Sequence, residues 1–66
     1  EIVNASIDGQ ISDARLYDGT GAKVDVPINI DSSTLTSNVS LLPSGVYFLE
    51  ITTEKGGLVR RELVVN

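Results

Sequence analysis

The chain contains no cysteine and no histidine, and only five of its 66 residues are Lys or Arg. Without thiols there is no disulfide staple, no thiolate nucleophile and no soft metal ligand, and the redox compartment stays open because disulfide-free domains occur everywhere. Without imidazole, the usual proton shuttle near neutral pH and the commonest transition-metal ligand are both missing. Long apolar runs are missing as well: nothing approaches the roughly 18 residues of a membrane span, and no charged start with an apolar middle marks a signal peptide. If the chain is exported, a targeting peptide belongs to a longer parent, and the chain reads as a domain cut from a larger protein. Lys and Arg are too few for nucleic acid, whose phosphates need clustered cations, and the net charge is −4.

What is present fits one small domain. At 41% hydrophobic residues, apolar burial only just offsets the entropy of ordering so short a chain, so a few core positions decide whether it folds. Charge is unevenly spread. Residues 1–54 carry Arg15 and Lys23 against eight carboxylates, whereas residues 55–66 carry Lys55, Arg60 and Arg61 against Glu62 alone, a net of +2. The basic charge gathers on the last hairpin, either as edge charges that discourage aggregation or as a docking face.

No window shows a helical apolar stripe, and no long repeat is present. Ile2 to Ile7 reads as a first strand ending at the turn signal Asp8-Gly9. Asp13 to Tyr17 reads as a second, closing on Asp18-Gly19-Thr20-Gly21, where two glycines permit a tight hairpin. Val24, Val26, Ile28 and Ile30 then alternate with polar residues or proline, the period of a half-buried strand. Pro27 cannot donate a ladder hydrogen bond, so this strand is expected at an edge, bent, or split in two. Asp31 to Asn38, rich in Ser and Thr, reads as a connecting loop that crosses between sheets with only Leu35 packing. Val39 to Leu41 is expected to pair briefly before the turn Leu42-Pro43-Ser44-Gly45.

Val46 to Ile51 follows as a strand with Tyr47, Leu49 and Ile51 on one face and Val46, Phe48 and Glu50 on a wetter one. Tyr47 is expected in the core with its hydroxyl on a polar partner. Thr53 to Gly57 reads as a hairpin loop, and Leu58 to Val65 as the last strand, mixed on both faces. The expected architecture is all-β: a small antiparallel two-sheet sandwich of six or seven short strands with immunoglobulin-like topology.

Chemistry offers little. With no His, no Cys and only two Lys, a nucleophile or base lacks an orienting partner, and each acid sits in a turn or at a polar strand position where solvation explains it. Asp18-Gly19-Thr20-Gly21 supplies oxygen atoms but lacks the alternating acids and terminal Glu of a calcium loop. Asn4-Ala5-Ser6 and Asn38-Val39-Ser40 match the N-glycosylation acceptor pattern. No enzyme, metal or cofactor is expected.

One resemblance goes further. Leu42-Pro43-Ser44-Gly45-Val46-Tyr47-Phe48-Leu49-Glu50-Ile51, close to the carboxyl end, is similar to the Leu-x-x-Gly-x-Tyr motif of C-terminal sorting domains of the type IX secretion system of the Bacteroidota. Leu16-Tyr17-Asp18-x-x-Gly21-x-Lys23-Val24 resembles that family's earlier hairpin, and Arg60, Arg61, Leu63, Val64 and Val65 its basic final hairpin with a short aliphatic end. The resemblance covers roughly residues 14–66. The chain opens without the Tyr-Pro-Asn-Pro-like segment and extra strand common in the family, and closes on Asn66 where members often carry a basic residue.

The resemblance implies a non-enzymatic export signal folded in the periplasm of a Gram-negative bacterium, with a cargo on its amino-terminal side. Its implied partners are an outer-membrane translocon and a sortase-like protease that removes the domain and attaches the cargo at the cell surface. Docking is expected on the segment Leu58 to Val65 through exposed strand edges or the basic final hairpin, with Lys55, Arg60, Arg61, Leu63, Val64 and Val65 as the recognition residues and Gly21, Leu42, Gly45 and Tyr47 as the fold-defining motif. The rival reading is an immunoglobulin-like or fibronectin-like spacer of a secreted enzyme, with or without a glycan site. A self-associating module using the same strand edges is a third.

Overall fold

The computed structural model describes residues 2–66, with Glu1 and its charge outside the described residues. Seven strands form: β1 (Ile2–Ser6), β2 (Ile11–Asp18), β3 (Lys23–Val24), β4 (Asn29–Asp31), β5 (Thr34–Asn38), β6 (Gly45–Thr53) and β7 (Leu58–Val65). They build an all-β sandwich of two antiparallel sheets, β1-β5-β4 and β3-β2-β6-β7. That order matches the B-E-D and C′-C-F-G sheets of an immunoglobulin-type sandwich, with no counterpart of its strand A among the described residues.

Hairpins legible from glycine spacing form as expected. Asp18 N–H donates to the Ala22 carbonyl at 2.9 Å, closing β2 onto β3, and Gly21 sits there at φ +90°, a conformation only glycine adopts freely. The β6–β7 register runs unbroken from Gly45↔Val65 to Thr52↔Leu58.

One expectation, the split at Pro27, is borne out, and two are corrected. The Val24–Ile30 alternation is split by Pro27: β3 closes one edge of the four-stranded sheet and β4 one edge of the other, so residues 25–28 make the crossing between sheets. Ser37 Oγ donates to the Pro27 carbonyl at 2.8 Å, holding the crossing against β5. The Ser/Thr-rich segment is therefore no crossing loop; it holds β5, the central strand of its sheet. Threonine is a good strand former, and Leu35 and Ser37 point inward while Thr34 and Asn38 meet solvent. Val39 to Leu41 forms no strand: Val39 is buried, and Leu41 is 97% exposed.

The core lies between the sheets. Leu16, Tyr47, Leu49, Ile51 and Val65 from one face meet Ala5, Leu35 and Val39 from the other, with Ile11 at the rim. Ile51, Leu35 and Val39 are the deepest, at 0%, 1% and 1% exposed, and burial of side chains like these contributes about 1.5–3 kcal/mol each. The β1–β2 corner docks on the β4–β5 turn, with Ile7 N–H on the Ser33 carbonyl and Ile11 N–H on the Ser32 carbonyl, both 2.9 Å.

Candidate functional site: an exposed edge strand

β7 ends the strand order of the four-stranded sheet, pairing with β6 on one flank and with no strand on the other among the described residues. Which backbone groups face the open flank follows from the ladder. Thr53 N–H donates to the Gly57 carbonyl at 2.9 Å, and the register continues without a bulge. Residues of an antiparallel pair alternate between hydrogen-bonded and non-hydrogen-bonded positions. Val59, Arg61, Leu63 and Val65 therefore bond to β6, while Leu58, Arg60, Glu62 and Val64 aim their N–H and C=O groups outward. An edge of this kind is the template on which an extended peptide adds as a further strand.

The six residues assigned to recognition divide by parity. Arg60 and Val64 stand on the solvent face of the sheet, and Lys55 is exposed in the hairpin loop. Arg60 Nη2 donates to Glu50 Oε2 at 2.9 Å, directly across the β6–β7 ladder. Leu63 is half-buried and Val65 is buried, so both serve the core. Arg61 is exposed, but its Nη2 donates to the Ser6 carbonyl at 3.0 Å, tying β7 to the end of β1 in the opposite sheet. Glu62, and Leu58, which is 61% exposed, share the open edge; both lie in the segment Leu58 to Val65 expected to dock, though not among the six named residues. Strict alternation from Arg60 was the sequence signal for both.

The fold-defining motif is also dispersed. Gly21 lies in the β2–β3 turn, Leu42 packs half-buried against the core, and Gly45 opens β6. Tyr47, buried near the start of β6, donates its hydroxyl to the Pro43 carbonyl at 2.6 Å. This is the tyrosine corner of immunoglobulin-type sandwiches, a hydrogen bond back to the loop that delivers strand F.

Other chemistry finds no centre. Among the described residues no group of His, Cys, Asp or Glu is placed to hold a metal ion. The Asp18 carboxylate is engaged within its own turn, accepting from the Thr20 hydroxyl at 2.6 Å and from the Thr20 and Ala22 N–H groups at 2.9 and 3.0 Å. These bonds, the Thr20 hydroxyl foremost, hold its carboxyl below the usual aspartate range. Tyr17 and Phe48 lie opposite each other on the solvent face, beside a shallow depression of about 270 Å³ that Gly21, Glu50 and Arg60 also line. Both rings are half-buried, which leaves little aromatic surface for a sugar. Asn4 and Asn38 are exposed, the latter accepting from Ser40 N–H at 3.0 Å.

The family model described as "Secretion system C-terminal sorting domain" matches residues 1–66. The chain belongs to that family. The match takes in β1 and the first corner, which lie ahead of the motifs that carried the resemblance. No curated protein and no solved structure matches the chain. Membership makes the chain a type IX C-terminal sorting signal, and the family is one of sorting signals and not a family of enzymes. Contact with the secretion machinery, and a secreted or cell-surface destination, follow from that role. No helix of the sorting domain is long and apolar enough to cross a membrane among the described residues.

Proposed function

We propose that this sorting domain is read by the outer-membrane type IX translocon through the open flank of β7. An extended segment of the machinery adds beside Leu58–Val65, with Lys55 and Arg60 supplying positive charge at the margin. The cargo lies on the amino-terminal side and carries the biochemistry. The domain folds in the periplasm, and a sortase-like protease then removes it and joins the cargo to lipopolysaccharide at the surface. The supporting observation is the eight-residue β7, whose outward N–H and C=O groups meet no strand among the described residues and which is longer than the other sheet edges β1, β3 and β4, of five, two and three residues.

Fusion of the 66 residues to the carboxyl end of a periplasmic reporter in a type IX host tests this directly. Arrival of the reporter in the medium or on the cell surface is expected, and deletion of Leu58–Asn66 is expected to abolish it. Retention of the intact, folded fusion in the periplasm would favour the spacer reading, and normal export of the truncation would remove β7 as the docking element.

A further inference from the structure

The outward residues of β7 read Leu58, Arg60, Glu62, Val64: apolar, positive, negative, apolar. Run antiparallel to itself about a two-fold axis at Arg61, this series places Leu58 against Val64 of a second copy and Arg60 against its Glu62, and then repeats both contacts. We infer that β7 is a self-complementary edge that joins two copies of the chain into one continuous sheet, β3-β2-β6-β7-β7-β6-β2-β3.

Three observations carry the inference. Backbone parity is right, because Leu58, Arg60, Glu62 and Val64 are the residues whose N–H and C=O groups face the open flank, and this register pairs them only with one another. The side chains agree, since opposite charges and apolar pairs directly across a ladder are favourable and like charges are not. Shifting the register by two residues either way sets Glu62 against Glu62 or Arg60 against Arg60 on the axis. Finally, the two ends of the edge are unusually apolar for a free strand: Leu58 is 61% and Val64 50% exposed, and self-pairing covers both. The one like-charge meeting is Arg61 with its copy on the opposite face, where each guanidinium already serves the Ser6 carbonyl of its own chain. An isologous contact of this sort closes at two copies and does not propagate.

The inference rests on the strand itself and not on the identity of the export partner, although self-pairing and translocon docking would compete for one flank. Sedimentation equilibrium of the chain, up to about 1 mM to reach the weak range of small interfaces, is expected to show a monomer–dimer equilibrium that weakens with added salt. In hydrogen exchange, the amides of Leu58, Arg60, Glu62 and Val64 are expected to gain protection with concentration. Those of Val59, Arg61 and Leu63 are protected at any dilution and report that β7 is folded.

Arg60→Glu and Glu62→Arg are each expected to remain monomeric, and their equimolar mixture to restore the dimer by pairing a doubly acidic edge with a doubly basic one. Leu58→Asp, at a solvent-exposed position, gives a second weakening variant should the carboxylate introduced by Arg60→Glu disturb Glu50. A wild type that stays monomeric throughout, or a mixture of folded variants that does not associate, overturns the proposal.

Discussion

Tyr47 and Pro43 are joined by a 2.6 Å hydrogen bond from the phenolic hydroxyl to the backbone carbonyl four residues earlier. Ring and hydroxyl do separate tasks: the ring belongs to the buried core, across the ladder from Leu63, and the hydroxyl fixes the loop that delivers β6. Tyr47→Phe removes the bond alone and is expected to cost about 1 kcal/mol. Tyr47→Ala removes the ring too and is expected to cost about 3–5 kcal/mol, most of the stability of a domain this small. Chemical denaturation of both variants checks this, and equal losses would show that the hydroxyl and not the ring carries the effect.

Ser37 is the buried polar residue that pins the crossing between sheets, through its 2.8 Å bond to Pro27. Ser37→Ala leaves the Pro27 carbonyl without that donor, at an expected cost of about 1–3 kcal/mol. The loss should appear as a lower denaturation midpoint, with faster amide exchange in β4 and β5 and little change in the β6–β7 ladder. Uniform acceleration across both sheets would count against a local role for the bond.

Asp18 gives the domain a defined acid sensitivity. Its folded carboxyl titrates below the ordinary value, so the charged form is favoured by folding. The stability this confers is complete above the unfolded aspartate pKa of about 3.9 and is lost as pH falls through the lower folded value. Thermal melts from neutral pH downward should show Asp18→Ala with a flatter dependence below about pH 4 than the wild type. Parallel curves through that range would place the sensitivity elsewhere.

Backbone parity on β7 makes a paired prediction for proline. Glu62→Pro removes an N–H that faces the open flank, so the domain should still fold while losing strand addition. Arg61→Pro removes an N–H bonded to β6 and should unfold the hairpin. Circular dichroism of the two purified variants, beside export of a reporter carrying each, tests fold and docking separately. Normal export of a folded Glu62→Pro domain would show that the machinery does not use this edge.

Much of the fold was legible where local chemistry and tertiary context agree. Two glycines after Asp18, and Gly56-Gly57 after Lys55, announce hairpins that close within a few residues, and Tyr47-Leu49-Ile51 alternate as a buried strand must. β5 was hidden because Ser32, Ser33, Ser37 and Asn38 are typical loop residues that mask the strand-forming Thr34, Leu35 and Thr36; its place between β1 and β4 makes Thr-Leu-Thr-Ser-Asn a strand. The concentration of basic charge on the last hairpin was legible, but not which of its side chains face the open flank and which face the opposite sheet. Nothing local tells that Arg61 reaches Ser6, a partner 55 residues away.

Composition and periodicity alone determined that this is a small all-β domain without histidine or cysteine, because those properties depend on residue types and on spacing along the chain. Tertiary structure alone decided which strand stands at the open edge, which of its backbone groups face outward, and which charged side chains are already spent holding the sheets together. Those properties depend on neighbours distant in sequence, and a ladder assigns every N–H and C=O a direction only once its partner strand is in place.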